Sequence, residues 1–283
     1  MGAFDMRNLF LGSALILAWM CASCSSGPRP PEPGSPAFLW GAAKTTYHSG
    51  DFRKTSENLA QIIQSDNEFT ARARPLSAIL SAGLAQGYFD MAESYEAGAH
   101  ANTANPTPFR KQTSNLRSMA SSAVLDFAEG VRLLADKDKD PNLTLACQYP
   151  TGSMAEPPAL RKIAGGATLQ DAEKDLLETA MLQRGVVMTM SSLVGSPDDS
   201  ARTLELFKAG EPSIPRATFL FGAAKALYDL SALYGPTRLD LPNRIQMLSQ
   251  EALDTLQTIP ENKDSKALAA RIQASLKKLR PGT

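Results

Sequence analysis

The chain has 283 residues, with 29 basic and 29 acidic side chains, so its formal net charge is zero. This balance argues against nucleic acid as a partner, because phosphate backbones are bound by clustered Lys and Arg. Two His and three Cys leave little material for a zinc site or a disulfide framework. We therefore expect no metal and no cofactor, and a domain stabilised by its packed core.

The first 23 residues have the pattern of a secretory signal peptide. Arg7 lies in a short polar head, and an apolar run extends from Leu9 to Met20, interrupted only by Gly12 and Ser13. A membrane-spanning helix needs about 20 apolar residues, so this run is too short to be one. We predict that residues 1–23 are removed.

The end of this segment resembles the lipobox of bacterial lipoproteins. Ala22, Ser23 and Cys24 supply the two small residues and the Cys, while Cys21 stands where that motif has Leu. The resemblance implies cleavage before Cys24, which would carry a diacylglycerol and an amide-linked acyl chain such as palmitate. Ser25 implies the outer membrane, with the protein on the inner leaflet and facing the periplasm. The alternatives are ordinary cleavage, which would release the protein, and an uncleaved anchor.

Residues 24–36 are rich in Pro, Gly and Ser and predict a flexible tether. From residue 37 to residue 283 apolar residues recur at spacings of three and four, and no segment alternates with a period of two. These patterns predict an all-α domain without a sheet. The predicted helices are Ala37–Tyr47, Phe52–Gln64, one opened by Pro75, one along 116–134, one capped by Thr168 and Asp171, two opened by Pro197 and Pro215, one opened by Pro242, and one near Asp264–Leu279.

Two features within these helices bear on packing. Gly83 and Gly87 lie four residues apart on one helix face, which favours a close helix crossing over a ligand cleft. The segment from Asp136 to Pro158 is the longest stretch in which we predict no helix or strand.

A seven-residue motif occurs twice. Phe38–Lys44 reads FLWGAAK and Phe219–Lys225 reads FLFGAAK, and a Tyr follows at the same distance in both copies. We predict two superposable helical hairpins with Gly41 and Gly222 at equivalent close crossings. The aromatic residues of the two copies are either core residues or the lining of a binding groove: Trp40, Tyr47, Phe221 and Tyr228.

The first hairpin resembles a tetratricopeptide (TPR) repeat over about 30 residues. Its matching positions are Leu39, Ala43, Gly50–Phe52 and Leu59. The hairpin departs from the motif at Thr46, Thr55, Ile62 and Asn67. The resemblance implies a superhelical, TPR-like domain over residues 37–283 that binds other proteins. The order of anchor, hairpin, Gly87–Phe89 helix and late hairpin also resembles the helical lipoproteins that accompany TRAP-type solute transporters.

The one candidate metal-binding motif in the sequence is incomplete. Asp136, Asp138 and Asp140 have the spacing that opens an EF-hand, but Pro141 and Cys147 stand where Gly and the bidentate Glu belong, so we predict a solvated charged loop.

Cys147 would be the one free Cys after processing, because Cys21 is removed and Cys24 is acylated, and His48 and His100 are its only imidazole partners, neither in a recognisable motif. We therefore predict no catalytic residues and no enzyme.

These observations predict an anchored scaffold that binds protein partners in an envelope, secretion or transport assembly. The alternative is a solute-binding accessory of a TRAP-type transporter, with a ligand cavity between the middle helices. An open face with exposed aromatic residues would favour the scaffold, and a sealed cavity would favour the accessory.

Overall fold

The structure, a computed structural model, describes residues 30–150, 155–196, 199–208 and 210–279. The predicted signal peptide and Cys24 lie outside these ranges, as does the tether up to residue 29. Within them, the predicted all-α class is confirmed. No helix in the described ranges is both long enough and apolar enough to cross a membrane.

Ten α-helices and a two-stranded sheet follow one another along the described chain. In order they are α1 (Pro36–His48), α2 (Phe52–Ile63), α3 (Thr70–Ala101), α4 (Thr107–Lys137), β1 (Asn142–Thr144), α5 (Pro158–Ala164), α6 (Asp171–Leu193), α7 (Ser200–Lys208), β2 (Ser213–Pro215), α8 (Arg216–Leu230), α9 (Pro242–Gln257) and α10 (Lys263–Leu279). A 3₁₀ turn over Ser231–Tyr234 continues α8.

The core is built around α3. This helix packs along α4, its neighbour in the chain, and is crossed by α6. Helix α8 lies among α9, α6, α4 and α10, whereas α1 packs mainly on α2 at the edge of the fold. The first hairpin is therefore peripheral and the second is central.

The Gly83–Gly87 pair lies at the crossing of α3 and α6, as predicted. A Cβ on Gly83 would lie 2.6 Å from Cα of Val186, and a Cβ on Gly87 would lie 2.8 Å from the carbonyl oxygen of Met181. Gly185 completes the contact from α6, because its Cβ would lie 2.1 Å from the carbonyl oxygen of Gly83. The two backbones touch, and only glycine leaves room for this approach.

The prediction that Pro75 opens a helix was wrong. Helix α3 begins at Thr70, and Pro75 is its sixth residue. The side chain of Asn67 accepts a hydrogen bond from the backbone N–H of Phe69 at 3.0 Å, and the Thr70 hydroxyl accepts one from the N–H of Asn67 at 3.0 Å. These bonds satisfy groups at the start of the helix, and Pro75 costs only one hydrogen bond in its second turn.

The prediction of no sheet was also wrong. Residues Asn142–Thr144 pair antiparallel with Ser213–Pro215, with Leu143 opposite Ile214. Three-residue strands are too short to show a period-two pattern, and their pairing joins segments about 70 residues apart. The predicted gap of Asp136–Pro158 therefore contains β1, and α5 begins at its last residue.

The start of α6 differs from the predicted Thr168–Asp171 cap. The cap lies two residues later, where the backbone N–H of Gln170 donates to the Glu173 carboxylate at 3.0 Å. This bond, followed by the ammonium of Lys162, holds the pKa of Glu173 below its usual range. Glutamate reaches back to the cap more readily than the shorter aspartate.

Candidate functional site

Two of the four predicted groove residues are packing residues of the first hairpin. Trp40 stacks on Phe69 with ring centroids 5.8 Å apart, and the Tyr47 hydroxyl donates to the carbonyl oxygen of Gln148 at 2.7 Å. Trp40 and Tyr47 are each 6% exposed. Trp40 is thus a packing residue, whereas Tyr47, although mostly buried, also lines a cleft beside α1.

The other two residues belong to a different cluster. Phe221 and Tyr228 are partly buried on α8 and pack against the core. The Tyr228 hydroxyl is 2.6 Å from that of Ser275 on α10, and the Arg271 guanidinium lies 4.9 Å from the centre of the Tyr228 ring. The four aromatic residues therefore serve two separate packing clusters.

The two copies of the repeated motif have different surroundings. Phe38 is 42% exposed, whereas its counterpart Phe219 is fully buried. A Cβ on Gly222 would lie 2.7 Å from the carbonyl oxygen of Ser192, whereas one on Gly41 would meet no atom within 4 Å. The prediction of equivalent close crossings holds for Gly222 and is wrong for Gly41, because α1 lies at the edge of the fold.

The structure brings together two residues that the sequence could not relate. His48 and Cys147 both line a cleft of about 260 Å³ beside α1, with Lys44 and Glu211. Burial raises the pKa of the Cys147 thiol to about 12, so the thiol is neutral at physiological pH. A nucleophilic Cys needs the thiolate, and this environment disfavours it. His100 lies away from this cleft, 3.4 Å from the Glu96 carboxylate.

The loop after α4 differs from the solvated loop predicted for the three aspartates. Asp136 and Asp140 are exposed, but Asp138 forms an ion pair of 2.7 Å with Arg74, and both side chains are largely buried. Arg216 lies nearby and donates to the carbonyl oxygen of Ala135 at 2.7 Å. In the described part of the chain, no three acidic, His or Cys residues are arranged to hold a metal ion.

A second cleft, beside α1 and α6, was not predicted. It has a volume of about 340 Å³ and lies between the α1–α2 turn and α6. Its charged lining residues are Asp51, Arg53, Asp175 and Glu178. The only sequence signal was the pair Asp175 and Glu178, three residues apart on one helix face. Nothing local indicates that the Asp51 turn, more than 120 residues earlier, packs opposite this pair.

Comparison of the chain with protein-family models, curated proteins and solved structures gave no match.

Proposed function

We propose that this chain is a bacterial lipoprotein, anchored through Cys24 in the inner leaflet of the outer membrane, whose TPR-like periplasmic domain binds a partner protein of an envelope assembly. The proposal draws on the resemblance of the N-terminus to a lipobox and of the first hairpin to a TPR repeat. Its structural support is one face of α1, described next.

The observation that carries the proposal is an exposed copy of a helix-binding face. Phe38, Gly41, Ala42 and Thr45 have the spacing of a single helix face, and none of the four is fully buried. We call these four residues the α1 face. The same positions of the second copy include Phe219, Gly222 and Ala223, which are packed in the core.

The second copy also indicates the kind of partner. Gly222 lies against the backbone of Ser192 and Leu193, the last turn of α6. A motif with the same Phe and Gly–Ala–Ala residues therefore receives a helix at backbone contact within this chain. We infer that the α1 face receives a helix of the partner protein, with Phe38 as the aromatic anchor and Gly41 at the crossing point.

Crosslinking from Phe38 tests this proposal. With p-benzoylphenylalanine at position 38, irradiation of cells is expected to give one major adduct, whose partner peptide maps to an α-helix. The same probe at Leu206 is the control, because Leu206 is comparably exposed, at 39%, and lies on α7. A second change, Gly41→Leu, is expected to remove the adduct, because its side chain would occupy the crossing point.

Folding of the Gly41→Leu variant should be unchanged, since no atom lies within 4 Å of the added Cβ. The same adduct from positions 38 and 206 would contradict the proposal, as would an adduct that persists in Gly41→Leu. An adduct with a second copy of the chain would show that the α1 face mediates self-association and does not bind a partner protein.

The proposed anchor has its own test. Cys24→Ala is expected to abolish incorporation of a labelled palmitate analogue and to leave the protein soluble in the periplasm or as an uncleaved precursor, because the acylated residue is gone. Cys21→Ala is the matched control and should be acylated normally. Normal acylation and membrane fractionation of the Cys24→Ala variant would disprove the assignment.

The second candidate function remains a solute-binding accessory of a TRAP-type transporter. It was predicted to have a ligand cavity between the middle helices, but α3 and α6 are in backbone contact at Gly83 and Gly185. Its support is the open cleft between the α1–α2 turn and α6, which has the size of a small-ligand site.

A further inference from the structure

The cleft of about 260 Å³ that Cys147 lines, called the Cys147 cleft below, has an apolar floor. Leu76, Ala146 and Cys147 line it and are 2%, 4% and 9% exposed. Burial raises the pKa of Cys147 to about 12, so its neutral thiol acts as a small apolar group. Beside this floor, the hydrogen bond from Tyr47 to the carbonyl oxygen of Gln148 fixes part of the lining before any ligand binds.

Two opposite charges complete the lining of this cleft. Lys44 on α1 and Glu211, two residues before β2, both line it and are both exposed. Neither side chain forms an ion pair or a hydrogen bond within the described ranges, either with the other or with a third residue. The ammonium and the carboxylate are therefore held apart in one cleft, and a molecule with the complementary charges can bridge them.

The repeated motif shows why Lys44 is unpaired. Its counterpart Lys225 forms an ion pair of 2.8 Å with Asp229, one turn later on α8. In the first copy His48 stands at the position of Asp229, and it lines the Cys147 cleft. The first copy thus presents an ammonium and an imidazole to the cleft, where the second copy has a neutralised pair.

We propose that the Cys147 cleft binds a free α-amino acid with an aliphatic side chain, such as leucine. The carboxylate of the ligand would accept hydrogen bonds from Lys44 and His48, and its ammonium would donate one to Glu211. Its side chain would lie on the apolar floor. A ligand with a single charge would leave Lys44 or Glu211 without a partner, whereas a zwitterion pairs with both.

The size of the cleft agrees with this class of ligand. Pockets for drug-sized molecules begin at about 300 Å³, so a volume of about 260 Å³ favours a smaller molecule. The proposal does not depend on the lipid anchor or on the α1 face, because none of the four residues of that face lines the Cys147 cleft.

Methyl NMR spectra of the detergent-solubilised protein test the proposal, since the floor contains its own reporter groups. Titration with L-leucine is expected to shift the methyl signals of Leu76 and Ala146. Three analogues each lack one recognised group: L-leucinamide lacks the carboxylate, 4-methylpentanoate the ammonium, and glycine the side chain. Each analogue is expected to bind at least about tenfold more weakly than leucine, because one contact is lost.

Two variants assign the charged contacts. Lys44→Gln should weaken leucine binding about tenfold and leave the affinity for leucinamide unchanged, since that analogue has no carboxylate to lose its partner. Glu211→Gln should weaken leucine binding to the same extent and leave the affinity for 4-methylpentanoate unchanged. Both residues are exposed and unpaired, so neither change should affect folding. Lys225→Gln is the matched control, because it changes the same position of the motif outside this cleft and should not alter leucine binding.

The proposal is overturned if leucine at about 10 mM leaves both methyl signals unshifted. Equal leucine affinity of the native protein and of Lys44→Gln or Glu211→Gln would also overturn it. Binding of leucinamide, 4-methylpentanoate or glycine as tight as that of leucine would have the same consequence, because the cleft would not select an aliphatic zwitterion.

Discussion

Replacement of Gly185 by leucine is expected to lower the free energy of unfolding by about 3 kcal/mol or more. The new Cβ would lie 2.1 Å from the carbonyl oxygen of Gly83 and 3.0 Å from the backbone nitrogen of Gly87. Backbone atoms cannot rotate away as a flexible side chain can, so α3 and α6 must separate. Thermal unfolding followed by circular dichroism should show a fall in Tm of roughly 6–12 °C.

The repeated motif supplies graded controls for this change. Gly222→Leu places its Cβ 2.7 Å from the carbonyl oxygen of Ser192 and should cost about 1–3 kcal/mol. Gly41→Leu meets no atom within 4 Å and should be neutral or stabilising by up to about 1 kcal/mol, since leucine is the better helix former. Equal losses of stability at positions 185 and 41 would show that backbone contact is not the cause.

The helices were predictable to the extent that their signals are local. The spacing of apolar residues indicated most of them, and the four-residue spacing of Gly83 and Gly87 correctly indicated a close crossing. The errors occurred where a specific contact overrides a local sequence preference. Proline is typical of the first turn of a helix, but the hydrogen bonds of Asn67 and Thr70 begin this helix five residues before Pro75.

The functional surfaces were less predictable, because burial depends on the position of an element in the fold. The two copies of the repeated motif are nearly identical in sequence, yet Phe219 is buried and Phe38 is exposed. The Cys147 cleft, which joins Lys44 to Glu211, and the cleft that joins Asp51 to Glu178 are likewise products of long-range packing.

Loss of either partner of the Arg74–Asp138 ion pair is expected to destabilise the fold by about 3–5 kcal/mol. Arg74 lies near the start of α3, and Asp138 directly follows the end of α4. Their bond of 2.7 Å therefore joins the first turns of one of the two longest helices to the end of the other. Arg74→Met removes the ion-pair partner of the Asp138 carboxylate, on which only the charge of Arg216 still acts favourably, and Asp138→Leu leaves the Arg74 guanidinium without its ion-pair partner. Each variant thus retains a charge that has lost its direct partner in a site that is largely shielded from water.

The double variant Arg74→Met/Asp138→Leu is expected to regain most of the lost stability at neutral pH. Burial raises the pKa of Asp138 even though Arg74 opposes the shift, so ionisation of this carboxyl costs more in the folded than in the unfolded chain. Stability at this site therefore falls as the pH rises through the folded pKa, and at pH 7 the charged pair gives little net gain. Urea unfolding of the four proteins yields the coupling energy between the two positions. Additive losses in the double variant would show that each residue stabilises the fold separately, contrary to this account.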